Sequence, residues 1–320
     1  MASQTSVIIV GAAGNIGSCI THHLLASGSN QFKVSALTRA SSRSVFPEGV
    51  TPIRTDYTPA SLVAAFTSQD IVISTISTSS LGDQMAIAKA AIQAGVKRFL
   101  PAELGMDTSS DHCLQIAPCT FLKKDIIKYL QQNEDKISWT GVFCGLWIDF
   151  SLTNPDWPWW DIKNKSFTVF DDGNTPFETS TIDNAARAVV STVLPEHFDR
   201  TRNEFIHVHS AVYTPNQLLR YLKKYTNTTD ADWKIKHEKI GEMAARGQKA
   251  FQEEATSGAP PEVFTKSQKF QGAIINMISA GLMGNGCVNQ FGEKTGYWME
   301  RFGLKEEDPE QIVRDVVVGA

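Results

Sequence analysis

Residues 7–17 read VIIVGAAGNIG, an apolar run that leads directly into three glycines. The run is typical of a buried β-strand, and apolar residues at helical spacing follow it. In a strand–turn–helix of this kind, Gly11 permits the bend, Gly14 lets backbone N–H groups approach a pyrophosphate, and Gly17 lets helix and strand pack closely. The alternative is a tight turn with no ligand. The context favours a dinucleotide-binding turn, whose predicted contacts are Gly11, Ala13, Gly14, Asn15, Ile16 and Gly17.

The rest of the first half alternates short apolar runs with helical patterns, which indicates βαβ units and a parallel sheet. Strands are predicted at 6–10, 33–37, 50–55, 71–75, 98–101 and 138–143. The predicted fold class is therefore α/β, a Rossmann-type doubly wound parallel sheet. The tryptophan-rich segment 154–160 breaks the pattern, so we predict a nucleotide-binding domain at 1–153 and a smaller α+β substrate domain at 154–320. A strand at 204–209 is assigned to the second domain.

Composition excludes several classes of protein. The 320 residues have a net charge of −4 and no basic stripe, so nucleic acid is not an expected partner. The apolar segment 272–283 is shorter than the roughly 20 residues that span a bilayer, and we expect no membrane segment. Five scattered cysteines without a C-x-x-C pair argue against a disulfide framework and a zinc ribbon. We expect a cytoplasmic protein, monomeric or homodimeric.

The residues after the second predicted strand point to the phosphorylated cofactor. An NAD-binding fold usually places an Asp or Glu there to bind the ribose 2′-hydroxyl. This chain has LTRASSR at 37–43, with no acid. The guanidinium groups of Arg39 and Arg43 suit a 2′-phosphate, although two solvated surface arginines are the alternative. The predicted cofactor is NADP(H).

Candidates for chemistry lie further along the chain. None of the six tyrosines has a lysine four residues later, so the Tyr-x-x-x-Lys pair of short-chain dehydrogenases is absent. Glu103 follows the fifth predicted strand, where doubly wound folds bind ligands, although it could equally cap a helix. Ser77, after the fourth strand, is also predicted to contact the cofactor. Helical spacing puts Phe121 and Lys128 beside Lys124, and a partly desolvated lysine can act as a general acid or polarise a carbonyl.

Two further groups of side chains have more than one interpretation. His207 and His209 share one face of a predicted strand, but no acidic or cysteine partner stands at metal spacing, so we predict no metal. An aromatic cluster could be core or could line a cleft for a flat aromatic substrate. We assign it to the substrate site: Phe143, Trp147, Trp157, Trp159 and Trp160.

Several of these segments together resemble the isoflavone reductase and phenylcoumaran benzylic ether reductase group, within the wider NmrA-like family of atypical short-chain dehydrogenases. The most specific block is 84–105, QMAIAKAAIQAGVKRFLPAELG, which resembles the family's Ala-Gly-Val-Lys-Arg-Phe helix end and its Pro-Ser-Glu-Phe-Gly strand end. The glycine turn, DIVIST at 70–75 and FLKKDIIK at 121–128 match in the same order. The resemblance covers about residues 5–150 well and the remainder weakly.

The resemblance implies roles for individual residues. The family's catalytic lysine lies by the nicotinamide, and aligning the family's phenylalanine with Phe121 selects Lys124, with Lys123 one residue away in register. The family arginine that contacts the 2′-phosphate corresponds to Arg39. Ala102 and Leu104 depart from the family's serine and phenylalanine, which puts the plant substrates in doubt.

The resulting hypothesis is an NADPH-dependent reductase that transfers hydride to a conjugated aromatic or heterocyclic small molecule of secondary metabolism, as in fungal members of the family. Two alternatives stay open. One is a regulator that senses the dinucleotide without turnover, and the other is an enzyme in which hydride transfer starts a rearrangement or cyclisation.

Overall fold

The computed structural model describes residues 4–28, 31–256, 258, 266–284 and 291–319. Its strands, in chain order, are β1 Thr5–Val10, β2 Phe32–Arg39, β3 Val50–Thr55, β4 Ile71–Ser74, β5 Arg98–Leu100, β6 Ser138–Phe143, β7 Leu146–Trp147, β8 Trp160–Asp161, β9 Ser166–Phe170, β10 Phe177–Ser180, β11 Glu204–His207, β12 Ala211–Tyr213 and β13 Lys234–Glu238. The six predicted strands of the first half correspond to β1–β6.

The helices of the described residues connect these strands. They are α1 Asn15–Ala26, α2 Pro59–Phe66, α3 Gln84–Gln93, α4 Asp111–Ile116, α5 Phe121–Gln131, α6 Ile148–Thr153, α7 Ile182–Val193, α8 Pro195–Phe198, α9 Pro215–Thr226, α10 Ile240–Ala255, α11 Gln268–Met283, α12 Glu293–Phe302 and α13 Pro309–Val318. Short 3₁₀ helices span Thr78–Asp83, Pro118–Thr120 and Asp230–Asp232. In the part of the chain that is described, no helix combines the length and apolar character needed to cross a membrane.

A seven-stranded sheet organises the molecule, in the order β11-β6-β5-β4-β1-β2-β3, with every neighbouring pair parallel. Successive side chains of β1 alternate between its faces. Val7 and Ile9 pack with α1 and α7, whereas Ile8 and Val10 pack with α2, α3 and α5. Helices on both faces of a parallel sheet confirm the predicted Rossmann-type doubly wound fold.

The second half of the chain contributes to this sheet, contrary to the predicted boundary at 153/154. β11 pairs with β6, from Glu204 opposite Thr140 to His207 opposite Phe143, and α7 packs against α1. The strand predicted at 204–209 therefore belongs to the nucleotide-binding sheet. A boundary between residues 153 and 154 would separate β11 from β6, its partner strand. The nucleotide-binding region therefore includes residues from both sides of the predicted boundary.

The remaining elements form a smaller region beside the carboxyl ends of β5 and β6. It contains two three-stranded sheets, β12-β10-β7 and β13-β9-β8, together with α10 and α11. β13 covers Lys234–Glu238, and α10 starts two residues later, at Ile240. Trp160, Phe167 and Tyr213 are almost fully buried in its core.

Candidate active site

The glycine turn has the geometry that the sequence predicts. Gly11 adopts a positive φ of 90°, and the N–H of Gly14 donates to its carbonyl at 2.9 Å. A Cβ on Gly17 would lie 2.2 Å from the same carbonyl oxygen. A Cβ on Gly11 would lie 2.8 Å from the carbonyl oxygen of Thr75, at the end of β4. Both positions therefore require glycine, because α1 starts in backbone-to-backbone contact with β1 and β4.

Among the described residues, no side chain caps the N-terminus of α1. Its N-cap residue is Gly14, and the first turn of the helix contains no acidic residue. The first N–H groups and the positive end of the helix dipole are thus available to an anion. This is the arrangement that binds a pyrophosphate in dinucleotide-binding folds. The glycines of the turn leave space beside these N–H groups, so the site fits such a group.

A large cavity of about 1030 Å³ opens at the carboxyl ends of β2 and β3. Arg39, Tyr57, Lys89 and Lys266 line it. Arg43 is exposed and does not belong to this lining, whereas Arg54 donates to the carbonyls of the intervening loop. The lining also contains Asp56 and Asp83, and Asp83 pairs with Lys266 at 3.2 Å, so Arg39 and Lys89 are its cationic side chains without such a pair among the described residues. Ser77 precedes the 3₁₀ helix after β4, at the same sheet edge.

A second, apolar cleft of about 200 Å³ lies at the ends of β5 and β6. Segments that are far apart in the sequence build its walls. Their apolar lining side chains, among the described residues, are Leu81, Leu104, Met106, Cys119, Leu146, Trp147, Phe150, Trp157, Ile274, Ile278 and Leu282. The polar groups in the lining include Thr78, Thr120, Ser151, Glu103 and Lys123. The cleft therefore suits a largely apolar ligand that presents few polar atoms.

Lys123 and Glu103 are the ionisable side chains of this cleft. Lys123 Nζ donates to the main-chain carbonyl of Glu103 at 2.5 Å and lies 3.8 Å from its carboxylate Oε2. Thr108 donates to the same Oε2 at 2.7 Å, and no described residue donates to Oε1. Burial raises the pKa of Glu103, an effect that the Lys123 charge opposes. The chain thus fixes an ammonium group at the cleft wall and leaves one buried carboxyl oxygen unpaired.

Lys124, the predicted catalytic residue, is directed elsewhere. Its Nζ lies 2.6 Å from the exposed carboxylate of Asp111, and it is absent from the cleft lining. Consecutive residues on a helix point about 100° apart, so only one of two adjacent lysines can face the cleft. Of the two lysines, Lys123, the other register of the family alignment, lines the cleft, whereas Lys124, the predicted catalytic residue, does not.

The structure divides the five predicted substrate aromatics. Trp147 and Trp157 line the cleft. Trp159 donates to Ser279 and Trp160 to the carbonyl of Ser151, and both indoles are buried in the smaller region's core. Phe143 is fully buried against Phe205 and His207 of β11, with ring centroids 5.2 and 5.1 Å apart. These three are packing residues, contrary to the prediction.

His207, the last residue of β11, and His209, two residues beyond it, both contact carboxylates. His207 Nε2 lies 2.9 Å from Asp107, whose pKa falls to about 2 because the hydrogen bonds from His207 and Ser109 outweigh the effect of burial. His209 lies between Glu178 and Glu306, at 3.1 and 3.0 Å. Burial disfavours its charged form, but the two carboxylates outweigh burial and raise the pKa of His209. These pairs tie β11 to the loop after β5 and to the segment before α13.

One wall of the cleft was missed from the sequence. Ile274, Ile278 and Leu282 lie four residues apart along α11, so they share one helical face. That spacing is visible in the sequence. However, the local sequence pattern is the same for a helical face that packs against the core and for one that lines a cleft.

The chain matches a model of the NmrA-like family over residues 3–243. Among similar proteins, "Oxidoreductase aprR" of Aspergillus flavus is 31% identical over 69% of this chain and 74% of its own length. "Phenylcoumaran benzylic ether reductase Betv6" of Betula pendula is 29% identical, over 75% of this chain and 80% of its own. A solved structure, "AtPrR2 with NADP+ and (+)pinoresinol", superposes with a TM-score of 0.72 at 19% identity, covering 99% of this chain and all of that one.

Proposed function

The chain belongs to the NmrA-like family, and on that premise we propose that it is an NADPH-dependent reductase of a conjugated aromatic or heterocyclic small molecule. The single observation that carries the proposal is the position of Lys123, whose ammonium group is fixed in the wall of an apolar cleft at the carboxyl edge of the sheet. The names of the relatives support the class of reaction, since they include an oxidoreductase and a benzylic ether reductase.

The proposed cofactor is NADP(H), which supplies the hydride. Gly11, Gly14 and Gly17 would hold its pyrophosphate at the open N-terminus of α1. Arg39 would bind the 2′-phosphate, with Lys89 adding positive charge to the same cavity. Ser77 and Glu103 lie at the sheet edge that the rest of the cofactor would cross.

The cleft supports an aromatic substrate. Trp147 and Trp157 offer flat faces, and α11 closes the opposite side with aliphatic side chains. The near absence of charge in the lining disfavours sugars, phosphates and dicarboxylates, whose desolvation the cleft could not compensate. A secondary metabolite with conjugated rings fits these walls.

Lys123 is the residue we propose for proton delivery. Its hydrogen bond to the Glu103 carbonyl fixes Nζ in the wall, and Nζ lies 3.8 Å from the Glu103 carboxylate. From there it would donate a proton, or a hydrogen bond, to the heteroatom next to the carbon that accepts hydride. A positioned general acid of this kind contributes roughly 10²–10⁴-fold to the rate.

The test is a turnover assay on the purified protein with NADPH and a panel of aromatic enones, imines and benzylic ethers. Loss of NADPH absorbance that requires both protein and one of these compounds is the expected result. If every compound fails while NADP⁺ and NADPH bind equally tightly, the proposal is contradicted and the dinucleotide sensor replaces it. NADPH consumption that yields a reduced product with a rearranged or newly cyclised skeleton would identify the rearranging enzyme instead.

A further inference from the structure

A sulfur, an imidazole nitrogen and a carboxylate oxygen meet where α1 packs on α7. Cys19 and His23 stand four residues apart on α1 and so share one helical face, and Asp183 comes from the first turn of α7. His23 Nε2 lies 2.7 Å and Cys19 Sγ lies 3.8 Å from Asp183 Oδ1, and the three atoms are all within 4.8 Å of one another. None of the three residues lines the apolar cleft.

These separations are close to those of a tetrahedral metal site. Zinc–sulfur bonds of about 2.3 Å and zinc–nitrogen or zinc–oxygen bonds of about 2.0 Å place a nitrogen and an oxygen ligand about 3.3 Å apart and a sulfur about 3.5 Å from either. The sulfur–oxygen distance of 3.8 Å is within about 0.3 Å of that separation. The His23–Asp183 hydrogen bond would open by less than about 1 Å, which a rotation of the exposed Asp183 side chain supplies.

Asp183 contributes a negative charge to the donor set. Its Oδ1 faces both His23 and Cys19, whereas Arg187 lies 3.9 Å from Oδ2, the oxygen that points away from them. On binding, a metal would displace the Cys19 proton, because a coordinated thiol is deprotonated.

We infer that Cys19, His23 and Asp183 form a binding site for a divalent transition metal of the zinc class. The mixed sulfur, nitrogen and oxygen donors suit Zn²⁺ and Co²⁺ and do not suit Mg²⁺ or Ca²⁺, which take oxygen ligands. Three protein ligands leave one position for water. A bound ion would join α7 to α1, the helix that begins at the glycine turn, and would stabilise that part of the fold without taking part in turnover.

The experiment is a Co²⁺ titration of the chelator-treated full chain without NADPH, because cobalt bound to thiolate shows a charge-transfer absorption in the near ultraviolet. The expected result is one ion per chain with micromolar or tighter affinity. Cys19→Ser should abolish the charge-transfer band, and His23→Gln should weaken binding by about a hundredfold or more. His22→Gln is the matched control, since His22 neighbours His23 on α1 and lies outside the cluster.

Two results would overturn the inference: no cobalt band at millimolar metal, or a band of equal strength in Cys19→Ser, which would assign it to another thiol. Folding of each variant is checked by its thermal transition without metal. Zn²⁺ should raise the Tm of the parent and of His22→Gln but leave that of Cys19→Ser unchanged, and an equal rise in all three would also contradict the site. Neither readout depends on the reductase proposal.

Discussion

The glycine turn and the apolar cleft are built in opposite ways. The turn uses seven consecutive positions, 11–17, where a Cβ on Gly11 or Gly17 would meet backbone oxygens. The cleft draws its walls from the loop after β5, from α5, from the segment around α6 and from α11. In the proposed function, phosphate recognition would be encoded locally, whereas recognition of the substrate would depend on how distant segments pack. Variants that damage one region and leave the other intact test this division.

The largest loss of stability is expected from Trp160→Ala. This indole is 2% exposed, stacks on Phe167 and donates to the Ser151 carbonyl, so its removal should cost about 3–5 kcal/mol of unfolding free energy. Trp157→Ala, in the same tryptophan-rich segment but in the cleft wall, should cost markedly less and raise KM instead. Urea unfolding and turnover assays measure the two effects. Equal destabilisation would show that Trp157 is also a core residue.

Gly17→Ala should break the turn. Its Cβ would meet the Gly11 carbonyl oxygen at 2.2 Å, a contact between backbone segments that no side-chain rotation relieves. We expect about 3 kcal/mol of destabilisation and loss of measurable NADPH binding. Gly241→Ala is the control, since a Cβ there meets nothing within 4 Å. Isothermal titration calorimetry measures the NADPH affinity of both variants. Wild-type affinity in Gly17→Ala would refute the role of the turn.

Arg39→Ala tests the cofactor choice. Removal of a charge-assisted contact to the 2′-phosphate should weaken NADPH binding by about 1.5–3 kcal/mol and leave NADH binding nearly unchanged. Arg43→Ala, outside the cavity lining, should have a much smaller effect. The ratio of the two cofactor dissociation constants is the readout. Equal weakening for NADPH and NADH would remove Arg39 from the phosphate site.

The smallest effect concerns His209, which helps hold the segment before α13 to the smaller region. Because its pKa is raised in the folded state, its ion pairs add stability below the unfolded value of 6.5, and this contribution disappears as pH rises through the folded value. Glu306→Gln should reduce this contribution to the free energy of unfolding by about 1 kcal/mol at most, since Glu306 is largely exposed. Urea unfolding of the parent protein and of Glu306→Gln, at mildly acidic and at mildly alkaline pH, measures the difference. An equal difference at both pH values would contradict the assignment.

Prediction from the sequence succeeded where short-range patterns decide the structure. Strands β1–β6 and the glycine turn follow from apolar runs and from glycines whose roles are local. The sequence predicts a strand at 204–209 but assigns it to the second domain, because the pairing of β11 with β6 across sixty residues leaves no local trace. The ring of Phe205 that covers Phe143 belongs to β11, so the sequence pattern alone does not identify Phe143 as a packing residue.

The prediction that Lys124, rather than Lys123, lies at the site differs from the structure for another physical reason. In FLKK both lysines follow the same phenylalanine, and one residue of register turns a helical side chain by about 100°. The start of α5 at Phe121, after the turn at Pro118–Thr120, sets the orientation. That start depends on packing against the loop after β5, which the sequence of the helix does not contain.

The most direct test of the central claim compares Lys123→Ala with Lys124→Ala, on a substrate from the panel and with NADPH affinity measured in parallel. The account predicts that Lys123→Ala lowers kcat by about 10²–10⁴-fold while NADPH still binds. Lys124→Ala should keep near-parental kcat, because its partner is the exposed Asp111. A large loss of kcat in Lys124→Ala with full activity in Lys123→Ala would contradict the account.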